Sequence, residues 1–230
     1  MPQVQQLNKD ELQIRAQFEE MRVDEGHNIK TLIFDIGGVI THTDFDKLYT
    51  NFALRVGVSP EFVIQYHEDY LADMLLGKVT FTEFLEDMIK AGAKSDLDIK
   101  AIWIEEGISS RNTDHINQEL LGVIKKLREK YTVETLTNLT ESRLLLDEKI
   151  DLYSNFDYAI LSCVEHLKKP DPAFYKLALA RTGVKPEEAI FIDDKESCVI
   201  AAEDIGMKGI VYTNNEELMK ELSKFGIIIK

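Results

Sequence analysis

The sequence predicts an α/β protein: a doubly wound parallel sheet, Rossmann-like, with a helical unit inserted behind its first strand. Three features point there. Short apolar runs recur along the chain, amphipathic helical stretches separate the later runs, and the interval between the first two runs is far too long for one crossover.

Taken in order, the runs are Thr31–Phe34, Val133–Leu136, Tyr158–Leu161, Ala189–Ile192 and Gly209–Val211. Each is short and rich in Ile, Val, Leu or Phe, which suits strands buried on both faces better than helices. Ile116, Leu120, Ile124 and Leu127 form an apolar stripe ahead of the second run, with Glu119, Lys126 and Glu129 turned to water. Pro172 stands where proline opens a helix, and Gly206 stands at the C′ position that closes the next one. Ligands of such sheets bind at the carboxyl ends of the strands.

Residues 46–110 read as helices only. Ser59-Pro60 is an N-cap with proline at N1, leading into Phe62, Val63, Tyr66, Tyr70 and Met74. Thr80-x-x-Glu83 is a capping box ahead of Phe84, Leu85 and Met88. Ser95-x-x-Asp98 is read as opening a third helix, which carries Ile99, Ile102 and Trp103. A unit inserted there hangs over the binding edge of the sheet, as a lid. The expected partition is an N-terminal arm over 1–28, a core over 29–45 and 111–230, and a cap over 46–110. The arm is polar, with Leu12, Phe18 and Met21 as isolated apolar points, and reads as a short amphipathic helix or a loose segment.

Composition narrows the function classes. A hydrophobic fraction of 44% allows a sizeable core. The net charge of −14 repels phosphate backbones, which argues against nucleic-acid binding. A small anionic ligand stays compatible, because a local pocket can be positive on an acidic protein. Cys163 and Cys198 stand far apart, as free thiols of a reducing, cytoplasmic setting do. No segment reaches the roughly 18 consecutive apolar residues of a membrane span, and the N-terminus has no signal-like apolar region.

Four polar clusters fall at successive strand ends. Asp35 leaves the first strand into Gly37-Gly38, on a loop whose backbone can approach a ligand closely. Thr137-Asn138 follows the second strand and offers a hydroxyl and an amide to a phosphate. Lys168-Lys169-Pro170-Asp171-Pro172 precedes a helix, and a lysine there neutralises phosphate and nucleophile together. Asp193-Asp194 ends the fourth strand, where adjacent carboxylates repel unless a cation such as Mg²⁺ joins them. Taken singly, each has a plainer reading: a capped turn, a polar loop, a solvated basic pair, an acidic helix start. Together they suit one phosphate and one metal.

The stretches FDIGGVI, LTN, KKPDPAFYKLAL and FIDDKESCVIAAEDIGM, in this order and spacing from about Lys30 to Tyr212, resemble the haloacid dehalogenase superfamily of phosphohydrolases. The inserted helices resemble its helical cap. The resemblance implies Asp35 as the nucleophile that forms an aspartyl-phosphate. It implies Thr137, beside Asn138, as the phosphate-binding hydroxyl, and Lys169 as the lysine that holds nucleophile and phosphate. It implies Asp194, with Asp193, as carboxylates of a Mg²⁺ site shared by Asp35 and the Gly37 carbonyl. Gly37 and Gly38 would line the phosphate. The implied substrate is a small phosphorylated metabolite, such as a sugar phosphate.

The chain also departs from the family pattern. Most phosphatases of the superfamily carry a second aspartate two residues after the nucleophile, as acid and base, and here that residue is Gly37. Variants with a D-x-G start resemble glucose-1-phosphate-type phosphatases, whose leaving group needs little protonation. His42, Asp44 and Asp46 follow as other proton sources. The polar family residue four places after Asp194 is here Cys198. Three alternatives use the same gap: a non-catalytic phosphate-binding protein, a metal-independent dehalogenase, and a phosphonate-cleaving enzyme with Lys47 or Lys78 as a Schiff-base lysine. Tyr66, Tyr70, Trp103 and Arg111 are the cap residues considered for contact with substrate.

Overall fold

The computed structural model describes residues 28–110 and 116–229, so the expected arm and Arg111 lie outside the described residues, Asn28 excepted. Five strands form the sheet: β1 (Thr31–Phe34), β2 (Thr132–Thr137), β3 (Tyr158–Leu161), β4 (Ala189–Asp193) and β5 (Lys208–Val211). Every neighbouring pair is parallel, in the order β3-β2-β1-β4-β5. β1 is central, and the winding direction reverses across it. The crevice beyond the carboxyl ends of β1, β2 and β4 is therefore the switch point where this architecture binds ligands.

Alternation along the strands builds two apolar layers. Leu32 and Phe34 face one side with Val133, Ile190 and Ile192, under Leu120, Ile124 and Leu127 and under Leu218 and Leu222. Ile33 faces the other side with Leu136, Ile160 and Phe191, under Phe174, Tyr175, Ala178 and Leu179. A third cluster belongs to the inserted unit alone. It joins α1 (Phe45–Val56), α2 (Pro60–Leu75), α3 (Phe81–Lys90) and α4 (Ile99–Ser109) around Phe52, Phe84 and Trp103.

Short polar signals set the helix ends. Ser59 Oγ accepts the Phe62 N–H at 3.2 Å, and Thr80 with Glu83 forms the expected capping box. The third cap differs from expectation. Asp98, not Ser95, caps α4, because its carboxylate accepts the Ala101 N–H at 3.0 Å and the helix begins at Ile99. Ile116 likewise stands ahead of α5 (Gln118–Leu127), in a bridge to Thr41, because Asn117 caps that helix through the Leu120 N–H.

After β2 come α6 (Glu141–Lys149), α7 (Ser162–Glu165), α8 (Pro172–Thr182), α9 (Glu196–Glu203) and α10 (Asn215–Lys224). Bonds from Gly206 N to Glu203 O and from Met207 N to Ala202 O make a Schellman closure, with Gly206 at φ +96° as expected of a C′ glycine. Among the described residues no helix is long and apolar enough to cross a membrane.

The inserted unit seats on the core at three points. The Glu141 carboxylate accepts the Phe81 N–H at 2.7 Å. His166 Nδ1 donates to the Leu76 carbonyl at 2.8 Å. Gly77 lies so close to the Cys163 carbonyl that a Cβ there would come within 2.1 Å of it.

Far from the strands' carboxyl ends, Glu134 on β2 is fully buried, and neither carboxylate oxygen has a hydrogen-bond partner among the described residues. Burial pushes its carboxyl up to about 8, with Thr182 and Arg181 acting against the shift. The folded chain therefore keeps a proton that the unfolded chain releases near the ordinary value of 4.5. This contribution to stability is complete below that value and is lost as pH rises through about 8. Glu134→Gln removes the titration, so its Tm falls less than the parent's between about pH 5 and 8. At pH 8 the variant melts higher, by roughly 2–4 °C for each kcal/mol regained. Calorimetric melts across that range read the effect, and equal slopes for both proteins would refute it.

Candidate active site

β1 delivers Asp35 to the crevice, its own N–H bonded to the Ile192 carbonyl at 2.8 Å. The loop beyond folds back on itself through Ile40 N→Ile36 O and Gly38 N→Thr41 O. Gly38 has φ +81°, and a Cβ there would lie 2.3 Å from Asp194 Oδ2. Only glycine lets this loop come against Asp194. At Gly37 a Cβ would meet nothing within 4 Å.

Lys169 is the centre of the charge arrangement. Its ammonium lies 2.9 Å from Asp35 Oδ1 and 2.6 Å from Asp193 Oδ2, with all three side chains buried. The Ile36 N–H also donates to Asp35 Oδ1, at 2.7 Å, and the Lys195 N–H donates to Asp193 Oδ1, at 2.8 Å. Burial by itself would lower the Lys169 pKa, but Asp35 and Asp193 more than offset it, and the pKa lies above the ordinary lysine value. Asp193 is pushed the other way from most ion-paired carboxylates. Burial raises it, and Lys169 opposes the shift without cancelling it.

Asp194 is exposed at the end of β4, and carboxylate oxygens of Asp35, Asp193 and Asp194 all lie within 4.8 Å of one another. Two of these carboxylates, Asp35 and Asp193, pair with the buried Lys169, and Asp194 completes the group of three. Their hard oxygen donors and excess negative charge fit Mg²⁺.

Thr137, the last residue of β2, is buried and lines the cavity, and no hydrogen bond holds its hydroxyl among the described residues. Asn138 has a different place from the one expected. Its Nδ2 donates to the Lys169 carbonyl at 3.0 Å, and its Oδ1 accepts the Lys169 N–H at 2.8 Å. The amide grips the lysine's main chain and so positions the charge.

A cavity of about 460 Å³ runs from these groups to the inserted unit. Of the cap residues considered from sequence, Trp103 lines it. Tyr66 and Tyr70 stack on each other at 5.1 Å within the helical unit. His42 lines the cavity on an exposed loop, whereas Asp44 caps α1 and Asp46 sits exposed in its first turn. Lys47 donates to the Ser109 carbonyl, and Lys78 pairs with Asp73 at the surface; neither lines the cavity.

Arg143 and His67 are two of the wall residues that escaped the sequence reading. Arg143, in the first turns of α6, donates to the Thr41 and Thr43 hydroxyls, with its Nε 3.4 Å from the buried Asp147. A cation soon after the Thr137-Asn138 pair was the signal available. His67 on α2 lines the cavity, with Nδ1 3.1 Å from the Tyr49 hydroxyl, and burial pushes its imidazole down to about 4. A lone histidine on an amphipathic helix carries no such signal.

Comparisons with known proteins identify the family. Flavin mononucleotide hydrolase 1 of Arabidopsis thaliana is 34% identical over 110 residues, 48% of this chain and 44% of the relative. A phosphorylated carbohydrates phosphatase of Thermotoga maritima is 26% identical over 206 residues, 82% of this chain and 88% of the relative. A HAD family enzyme of Bacteroides thetaiotaomicron, solved in complex with magnesium and inorganic phosphate, superposes with a TM-score of 0.68 at 25% identity. That match covers 83% of this chain and 98% of the other. The chain spans less than half the length of the first curated relatives it matches. The family model for haloacid dehalogenase-like hydrolases matches residues 29–206, and the chain belongs to that family of hydrolases.

Proposed function

We propose that this hydrolase cleaves a phosphate monoester by in-line transfer of the phosphoryl group to Asp35, with Mg²⁺ as cofactor. The observation that carries the reading is the convergence of Asp35, Lys169, Thr137 and the Asp193-Asp194 pair on one cavity at the strand ends. Residues 46–110 act as the cap over a core of 29–45 and 111–230. The free thiols of Cys163 and Cys198 suit a cytoplasmic setting.

Both contacts to Asp35 fall on Oδ1, which leaves Oδ2 as the attacking oxygen. Attack forms a bond from Oδ2 to phosphorus and breaks the bond from phosphorus to the ester oxygen, whose electron pair leaves with the alcohol. Water then attacks the aspartyl-phosphate, releasing inorganic phosphate and restoring the carboxylate. Lys169 holds Asp35 in line and offsets charge on the phosphoryl oxygens, and Thr137 donates to one of them. Mg²⁺, when bound by Asp35, Asp193, Asp194 and the Gly37 carbonyl, offsets the phosphoryl charge. Gly37 brings no acid, so protonation of the leaving oxygen falls to His42 or water, and leaving groups that need little protonation react best. The absent acid also favours a second reading, a phosphate-binding protein without turnover. Mg²⁺-dependent phosphate binding with no hydrolysis of any ester would establish that reading instead.

Three outcomes test the proposal. The protein hydrolyses acetyl phosphate in a Mg²⁺-dependent manner, and Asp35→Asn lowers the rate by roughly a thousandfold or more. Turnover that persists in that variant would sink the assignment. Gly37→Asp fits without a clash and supplies the missing acid, so kcat on an alkyl phosphate rises by roughly 10²–10⁴-fold. An unchanged kcat would mean that protonation does not limit the reaction. Gly38→Ala drives a Cβ into Asp194 and weakens Mg²⁺ binding by roughly 10–100-fold in calorimetric titration. Parental affinity in that variant would exclude Asp194 from the metal site.

A further inference from the structure

We infer that the substrate is a phosphate monoester of an apolar alcohol, alkyl or prenyl in kind, rather than of a sugar. This inference rests on the phosphoryl chemistry proposed above. It follows from the wall that faces that chemistry. Among the described residues, every cap side chain on the cavity wall except His67 is apolar: Phe45, Leu48, Leu71, Leu75 and Trp103. Leu71 and Leu75 stand one turn apart on α2, half-buried, and neither joins any of the three apolar clusters. Phe45 is 47% exposed. Leu48 and Trp103 also belong to the helical unit's own core, whereas Phe45, Leu71 and Leu75 join none of the three clusters, and what all five present to the cavity is hydrocarbon.

Hydrogen-bonding capacity on that wall is correspondingly small. Burial, with Glu68 adding to it, keeps the Tyr49 phenol protonated, and its hydroxyl shares one hydrogen bond with His67 Nδ1 at 3.1 Å, the imidazole tautomer setting which of the two donates. Nδ1 is engaged in either tautomer, so the neutral His67 offers the cavity one polar atom at most, Nε2. Arg143 belongs to the core's α6 rather than to the helical wall, and part of its donor set is spent on the Thr41 and Thr43 hydroxyls beside Asp147. A hexose would set several hydroxyls against leucines and aromatic rings, and each unpaired hydroxyl lowers affinity about tenfold or more. An alkyl chain meets no such penalty and gains from leaving water. The neutral His67 ring accommodates at most one polar group on that chain.

Octyl phosphate and glucose 6-phosphate are both primary alkyl monoesters, so they match in intrinsic reactivity and differ in what the wall must accept. Trp103 is the sole tryptophan of the chain and lines the cavity, so its emission reports occupancy without turnover. In Asp35→Asn with Mg²⁺, octyl phosphate is expected to bind at least tenfold more tightly than glucose 6-phosphate. Inorganic phosphate should displace it, and Leu71→Gln should narrow the ratio about tenfold. In the parent protein kcat/KM should follow the same order. Equal or tighter binding of glucose 6-phosphate overturns the inference, as does octyl phosphate binding that inorganic phosphate fails to displace. Acetyl phosphate separates the two claims. Turnover of it without any preference for octyl phosphate defeats this inference and leaves the hydrolase reading standing. A displaceable octyl preference without turnover of any ester defeats the proposed phosphoryl transfer and, with it, the claim that the bound monoester is a substrate.

Discussion

The Lys169 ammonium sits between two buried carboxylates, and the arrangement of the strand ends follows from that contact. Asp35 arrives on β1 and Asp193 on β4, and both touch Lys169 within 2.9 Å. Removing three charged groups from water is unfavourable, and mutual attraction offsets it only where the geometry is good and further bonds complete each group. Here the Ile36 and Lys195 N–H groups supply such bonds, and the Phe191 ring lies 5.4 Å beneath the ammonium. Asn138 carries the constraint to a third strand, because it holds the main chain of Lys169 from the end of β2. One ammonium among three carboxylates still leaves negative charge over, and that excess is what a divalent cation answers.

Charge and hydrocarbon are divided between the two units. The core supplies the carboxylates and the threonine at the ends of strands β1, β2 and β4, and the lysine from the segment that leads into α8. The inserted helices supply a largely apolar wall and rest on an apolar cluster of their own. Arg143 stands where the two meet, gripping Thr41 and Thr43 on the segment that leads from the Asp35 loop into α1. Glu141 and His166 bind the far side of the same unit through its main chain. The charged cluster and the apolar wall are therefore encoded in different segments, and the wall can vary without moving the charged groups.

Several elements were legible in the sequence because their causes are local. Strands buried on both faces must be apolar throughout, so each predicted run falls on an observed strand. Caps were readable where a single hydrogen bond decides, as at Ser59 and Thr80. The reading slipped at Ser95, where two polar residues compete and Asp98 reaches the free N–H groups. Asn138 shows a different limit. An amide at a strand end can face a ligand or a neighbouring loop with equal chemistry, and the approach of the Lys169 segment decides which. Glu134 is a third case, since its alternation within β2 leaves open whether a helix will cover it.

The order of the strands along the chain, the carboxylates at their ends, the lysine ahead of a proline-started helix and the glycine at 37 were legible in the sequence alone. These depend on residue type and on spacing along one segment, which a chain carries before it folds. The cavity belongs to the tertiary structure. Phe45, His67, Leu75 and Trp103 come from three helices whose amphipathic patterns distinguish buried faces from exposed ones, but not a core from a cavity wall. That distinction depends on how the helical unit rests on the sheet. Asp35 could be located by its place in the chain, whereas the surface that faces it exists only once those helices pack.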